Sequence, residues 1–277
     1  EGTSYANVTI PYYDLSNNTM RENIIGLDAS AYYMENGKMV RTKMKKDMIF
    51  KERLSENQMT LKFSIPQVKA GTLIEYEYRL ESDFFFTIDS WKAQSDIPTL
   101  YTEYDIIIPE YFKFNTDMRG TESLETKSES TSLSLSIGGQ FFQCTGSHMN
   151  FRGTQLPALK DDSYVWCADD YCTQVNFELL GIDFPGSLYQ SFTQSWKQID
   201  EALLNDNEFG GRLKMSNPLK EEMNALHLEQ MKGTEEKICA IYTLLKNKVR
   251  WNEKYNLYGK APKQILKEGT GSNADLN

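Results

Sequence analysis

The sequence predicts an α+β chain: an antiparallel β-sandwich over residues 1–185, followed by a helical segment over residues 186–277. Three observations carry this. Short runs with alternating apolar and polar residues fill the first two thirds, which is the period of a half-buried strand. A Tyr- and Phe-rich composition, 16 and 14 residues, favours β structure. From about residue 186 the apolar spacing changes to that of a helix.

The elements follow in order. ASAYYMENGKMVRTKM places Asn36-Gly37 between two strand-like runs, and Asn-Gly supplies the positive φ angles of a type I′ hairpin turn. In MTLKFSIP, Met59, Leu61, Phe63 and Ile65 alternate with Thr60, Lys62 and Ser64. In LIEYEYRL, Ile74, Tyr76, Tyr78 and Leu80 alternate with Glu75, Glu77 and Arg79. Each reads as a half-buried antiparallel strand. EYDIIIPEYF continues the series, and SLSLSIGGQFFQCTG reads as a strand pair turning at Gly138-Gly139. The polar stretch Thr121 to Ser130 reads as an exposed turn or ragged edge. Many strands with one wet face must bury the other against a second sheet, hence the sandwich.

In the second segment, SLYQSFTQSWKQIDEALL has helical spacing, and NDNEFGGRLKMSNP is a break. PLKEEMNALHLEQMK reads as an amphipathic helix with Pro218 near its first turn. In TEEKICAIYTLLKNKVRW, Ile238, Ile241, Tyr242, Leu245 and Val249 form one stripe. Glu235 and Glu236 begin this helix and Lys246, Lys248 and Arg250 end it, as the helix dipole favours.

Composition excludes several functions. The net charge of −9 opposes nucleic acid and anionic lipid. No run approaches the roughly 20 apolar residues of a membrane span. Four Cys without CxxC, and two His, make a Cys/His zinc site improbable, and no cofactor is expected. Cys167 and Cys172 fit either a short-loop disulfide or two free thiols; Cys239, beside the helical stripe, reads as a buried small residue. Asp161, Asp162, Asp169 and Asp170 lack calcium-loop spacing and read as a solvated acidic loop. The KMKKD run at 43–47 is too small to offset an acidic whole. Glu75 and Glu77 are a carboxylate pair or a charged wet face. Phe84–Phe86 and Trp91 are core, or an aromatic platform for sugar. The chain enters a strand pattern almost at Glu1 and stops at Asn277 as a helix begins, so residues upstream of Glu1 are expected.

The last residues raise the question of chemistry. After VRWNEKYN come Ala261-Pro262, Ile265-Leu266 and the turn Gly271-Ser272-Asn273-Ala274-Asp275. This order resembles the start of a transglutaminase-like, papain-related domain, in which a Gly-rich turn delivers a Cys at a helix N-terminus. TIPYYDLS, DMIFKER, LKFSIPQVKAGTLIEYEYRLES and QSDIPTLYTEYDIIIPEYF resemble the bacterial envelope domain of unknown function 3857, most specifically over Lys62–Phe112. That domain commonly precedes a transglutaminase-like one. The resemblance implies export to the periplasm or cell surface.

The pattern departs at its reactive atom. A helix N-terminus lowers a thiol's pKa, but Asn273 has no thiol and a poorly nucleophilic amide. The other triad groups of the superfamily are not in the chain: His148 falls in the β part and His227 on a helix before the turn. No catalytic residue is therefore assigned; Asn273 is a degenerate nucleophile position flanked by Gly271, Ser272 and Asp275. Ser272 without a base is inert. The residues also fit a plain helix start, in which Ser272 or Asn273 caps and Asp275 suits the dipole. Three functions follow in order of expectation: a non-catalytic envelope binding or scaffolding protein that recognises a peptide or cell-wall glycan polymer, a cysteine-peptidase or amidase-type enzyme, and a carbohydrate-binding module.

Overall fold

The computed structural model describes residues 2–15, 20–55, 57–137, 140–192, 194–207, 209–256 and 258–276. It divides into two compact units, Glu1–Phe192 and Thr193–Asn277. The β-rich first unit and the helical second make the chain α+β, as the sequence predicts.

The first unit opens with strands β1 (Asn7–Tyr13), β2 (Glu22–Glu35), β3 (Lys38–Lys43), β4 (Ile49–Arg53), β5 (Gln58–Ser64) and β6 (Leu73–Ser82). They form two antiparallel sheets, ordered β1-β5-β4 and β3-β2-β6. The hairpin β2–β3 turns at Asn36 and Gly37, whose φ angles are 49° and 75°. Ile10 and Tyr12 from β1, Leu61 and Phe63 from β5, and Ala29 and Ala31 from β2 bury between the sheets. The small residues of β2 let the larger side chains of the facing sheet approach.

Alternation misjudges two strands. Thr60, expected on the wet face, is 0 % exposed. It sits on the middle strand of its sheet, and its Oγ1 donates to the Ile10 carbonyl oxygen at 3.5 Å. β6, expected to be half-buried, is exposed at every position but Ile74, because it lies at the edge of its sheet.

The next strands are β7 (Trp91–Lys92), β8 (Thr99–Pro109), β9 (Phe112–Arg119), β10 (Glu125–Ile137), β11 (Gln140–Leu156), β12 (Gln174–Ile182) and β13 (Gln190–Ser191). One sheet runs β10-β11-β8; in the other, β9 lies along one side of β12, and β7 and β13 pair with its other side. EYDIIIPEYF is two strands, β8 and β9, divided by a turn after Pro109. Of the two readings for Thr121–Ser130, exposed turn or ragged edge, the second is nearer: from Glu125 onward it is an exposed strand at the edge of its sheet, since β11 supplies its hydrogen bonds in register from Glu125↔Arg152. The turn predicted at Gly138-Gly139 lies outside the described residues. Trp91 stacks on Tyr104 with ring centres 5.5 Å apart. Tyr104 and Phe151 meet Phe177 of the facing sheet, so aromatic contacts join the pair. Gly120 has φ +112°, and a Cβ there would collide with the Thr173 backbone.

The second unit contains α1 (Trp196–Asn205), α2 (Lys220–Ala225), α3 (Thr234–Lys248), β14 (Arg250–Trp251), α4 (Pro262–Glu268), β15 (Thr270–Gly271) and α5 (Asn273–Leu276). The helical pattern at SLYQSFTQSW starts later than predicted. A reciprocal capping box between Ser195 and Gln198 fixes the start of α1 at Trp196, and Gln190–Ser191 pair with β12 instead. The helix predicted over PLKEEMNALHLEQMK is shorter too. His227 adopts a left-handed conformation, φ 47°, that ends α2 before a 3₁₀ turn over Leu228–Gln230. His227 is therefore at a helix end. α3 forms where predicted, with Glu235 and Glu236 in its first turn and Lys246 and Lys248 in its last; Arg250, expected in that turn, lies past the helix end in β14 because it pairs with Thr270. Its stripe is only partly covered: Ile238 is 60 % and Tyr242 64 % exposed, and Val249 closes it as a buried cap. Cys239, expected to be buried, is exposed for the same reason.

Candidate functional site

Between β14 and β15 the second unit makes a small parallel pair, Arg250↔Thr270 and Trp251↔Gly271. α4 is the crossover that a parallel pair requires. Pro262 opens α4, where its missing N–H costs nothing, and Gly269 at φ 66° closes it. The chain then leaves β15 through Gly271 and starts α5 at Asn273. Gly271 must lack a side chain here, because a Cβ would come 2.7 Å from the Asp275 Cβ.

Ser272 is 1 % exposed and is the cap. Its backbone N–H donates to Asp275 Oδ2 at 2.8 Å, and the Asp275 N–H donates to Ser272 Oγ at 3.4 Å. This is the Ser-x-x-acid capping box. The Ser272 hydroxyl also donates to Asp275 Oδ2, at 3.0 Å. A hydroxyl committed to a carboxylate, with no imidazole among its bonds, is not an activated nucleophile. Asp275 Oδ1 accepts the Lys260 backbone N–H at 2.6 Å. Burial raises the Asp275 pKa, but the Ser272 and Lys260 N–H groups, the Ser272 hydroxyl and Arg212 outweigh it and hold the carboxyl below its ordinary range.

Asn273 occupies the first helical position, after the cap. Its Oδ1 accepts the Asn256 backbone N–H at 2.7 Å, and its own N–H donates to the Lys254 carbonyl oxygen at 3.2 Å. The carboxamide thus ties the 254–256 loop to the start of α5. It also faces a cavity of about 660 Å³. The apolar wall includes Leu213, Leu219, Leu245, Ile265 and Leu276; Arg212, Asn217, Asn256 and Asp275 supply polar points. This is an apolar pocket with few polar groups, the ordinary make-up of a small-ligand or peptide site. Sequence reasoning found Gly271, Ser272, Asn273 and Asp275, which the fold brings together. It missed Arg212, whose guanidinium donates to the carbonyl oxygens of Ala274 and Lys260. Nothing local marks that arginine, since its partners lie 62 and 48 residues away.

The remaining sequence candidates fall elsewhere. His148 on β11 bridges Asp105 of β8 at 2.8 Å and Glu129 of β10 at 3.2 Å, and the Asp105 bond leads in raising its pKa. His227 pairs with Glu229. All four thiols are free; Cys167 is exposed and Cys172 buried, which decides the pair as two thiols in this structure. Burial, with Glu110 adding, raises the Cys144 thiol pKa. Asp169 pairs with Lys92, and Lys43 of the basic run with Asp28. No grouping of three potential metal ligands occurs among the described residues. Trp91 is taken up in the ring stack, whereas Phe85 and Phe86 are exposed on the cluster with Phe84 and Phe112. No described helix is long and apolar enough to cross a membrane.

One solved structure shares the fold. A crystal structure described as that of a "putative protease" from Parabacteroides distasonis ATCC 8503 superposes with a TM-score of 0.59 at 12% identity, over 99% of this chain. The chain spans 50% of that protein's length. No curated protein matches. Residues 1–138, which include the Lys62–Phe112 stretch, match the family described as "Domain of Unknown Function with solved-structure structure (DUF3857)".

Proposed function

We propose that this chain is a non-catalytic cell-envelope binding or scaffolding protein. In this reading residues 1–185 are the β-sandwich domain, and residues 186–277 are the N-terminal part of a transglutaminase-like domain whose nucleophile position carries Asn273. One observation carries the proposal: the side chain that faces the apolar cavity at the start of α5 is a carboxamide bonded to the Asn256 N–H, and the adjacent Ser272 is consumed as a cap. Such a pocket can hold an extended peptide or a segment of cell-wall polymer, but among the described residues that line it none is a thiol or a hydroxyl paired with a base that could attack an amide. The same reading puts the chain in the periplasm or at the cell surface, which the family resemblance in its sequence supports.

The test is turnover against binding. Purified protein incubated with peptide and peptidoglycan fragments is expected to retain a ligand without cleaving it. Replacing Ala274 by Trp, which fills the cavity from α5, is expected to weaken retention about tenfold. Turnover that disappears in Asn273→Ala would overturn the proposal. A second reading, an amidase or peptidase, is favoured by the protease description of the structural neighbour. It predicts that a thiol-directed active-site probe labels one of the four Cys and that this labelling abolishes turnover.

A further inference from the structure

The sheet β3-β2-β6 has two edges, and they differ. β3 carries Lys38, Arg41 and Lys43, the charges that commonly keep edge strands from pairing. β6 has ten residues, no Lys and no Pro, and pairs on one side only among the described residues. The register shift of the β2–β6 pair falls between Ile25 and Asp28, with the extra residue on β2 and none on β6. β6 therefore offers a long row of backbone N–H and C=O groups to a further strand.

Its two faces specify what that strand would be. On the outer face Glu75, Glu77 and Glu81 stand with Arg79 alone, and Arg79 is paired with Glu81 at 3.3 Å. Glu75 accepts the Tyr32 hydroxyl at 2.8 Å, which holds its carboxylate in place on that face. On the inner face Tyr76, Tyr78 and Leu80 are 44 %, 43 % and 38 % exposed, so the facing sheet, which meets Tyr76 through Phe63, covers the row only in part. At the N-terminal end of β6 a groove of about 710 Å³ wraps the edge, with Leu73, Met34, Met39 and Tyr32 among its walls.

We propose that the β6 edge is a docking site for an extended basic segment of a partner polypeptide, added as a further strand. Its residues alternate basic and apolar. The basic ones lie over Glu75 and Glu77, and the apolar ones continue the row Tyr76, Tyr78 and Leu80. One apolar side chain at its end enters the groove beside Leu73. Main-chain bonds supply affinity, and alternate side chains supply specificity. This surface is independent of the cavity at Asn273.

The probe is a labelled peptide of alternating Val and Lys ending in Leu, followed by fluorescence anisotropy with the whole chain. Saturable binding is expected, weakened about tenfold by Leu73→Asp and by Glu77→Lys. Both residues are exposed, so unchanged melting temperatures of the two variants verify their fold. Two further peptides carry N-methyl groups on alternate amides, in opposite phase. Only the phase whose N–H groups face β6 should lose binding, because an antiparallel strand directs alternate amides to each side. Absence of saturation at millimolar peptide would overturn the proposal. So would equal loss in both phases, or Leu73-dependent self-association, which would make a second copy the occupant.

Discussion

The first pair of sheets and helix α3 both carry a regular apolar pattern, yet they use it differently. In the sheets, Ala29, Ala31, Leu61, Phe63 and Ile65 are all nearly inaccessible. In α3 the corresponding stripe keeps Ile238 and Tyr242 more than half exposed. The periodicity marks which face is available for burial; only a facing element buries it. A sheet meets its partner through neighbouring segments of the same unit, whereas among the described residues of Thr193–Asn277 α3 has no equivalent cover.

That contrast can be broken by substitution. Phe63→Ala removes a ring packed edge-to-face on Tyr76 and is expected to cost about 3–5 kcal/mol. Ile238→Ala, made on the exposed stripe, should change stability by no more than about 0.5 kcal/mol. Urea unfolding of both variants measures the difference, and equal costs would mean that α3 is covered after all. Within the second unit, Ser272→Ala sharpens the comparison by testing a local device. Loss of the cap should cost about 1 kcal/mol, read from the melting temperature; an unchanged value would show that α5 does not depend on its capping box.

The smallest effect concerns acid. On the outer face of the β10-β11-β8 sheet, Glu103 accepts from Tyr101, Asn150 and Arg152, and its pKa falls from 4.5 to about 2. A carboxyl with a depressed folded pKa stabilises the native state fully above its unfolded value and loses that contribution as pH falls toward 2. Glu103→Gln should therefore lower stability at neutral pH slightly and make it less sensitive between pH 4.5 and 2. A pH series of unfolding midpoints for both proteins checks the sign. The side chain is exposed to solvent, so a small difference is expected.

Legibility in the sequence depended on how far apart the cooperating residues lie. The Asn36-Gly37 turn, the presence of strands at MTLKFSIP and LIEYEYRL, and the acidic start and Lys246 and Lys248 end of α3 are set within a few residues and form as predicted. The burial that alternation assigned to those two strands fails at Thr60 and along β6. The late start of α1 was also local, written in Ser195 and Gln198, but hidden under a misleading aromatic spacing. β7, β13, β14 and β15 were not legible, since two-residue strands exist only through a partner elsewhere in the chain. At the candidate site, Gly271, Ser272, Asn273 and Asp275 were readable as one motif. Arg212 and Asn256 were not, because nothing near them in sequence announces a partner at the start of α5.

By itself the sequence determined the α+β division, the hairpin, the longest helix and the absence of sulfur at residue 273. These are properties of nearest neighbours: backbone preference, side-chain period and functional-group identity. The tertiary structure alone decided that Thr60 is buried, that β6 is an open edge, that Cys239 faces solvent and that Ser272 spends its hydroxyl on Asp275. Burial and hydrogen bonding depend on what arrives from distant parts of the chain, and no local pattern carries that information.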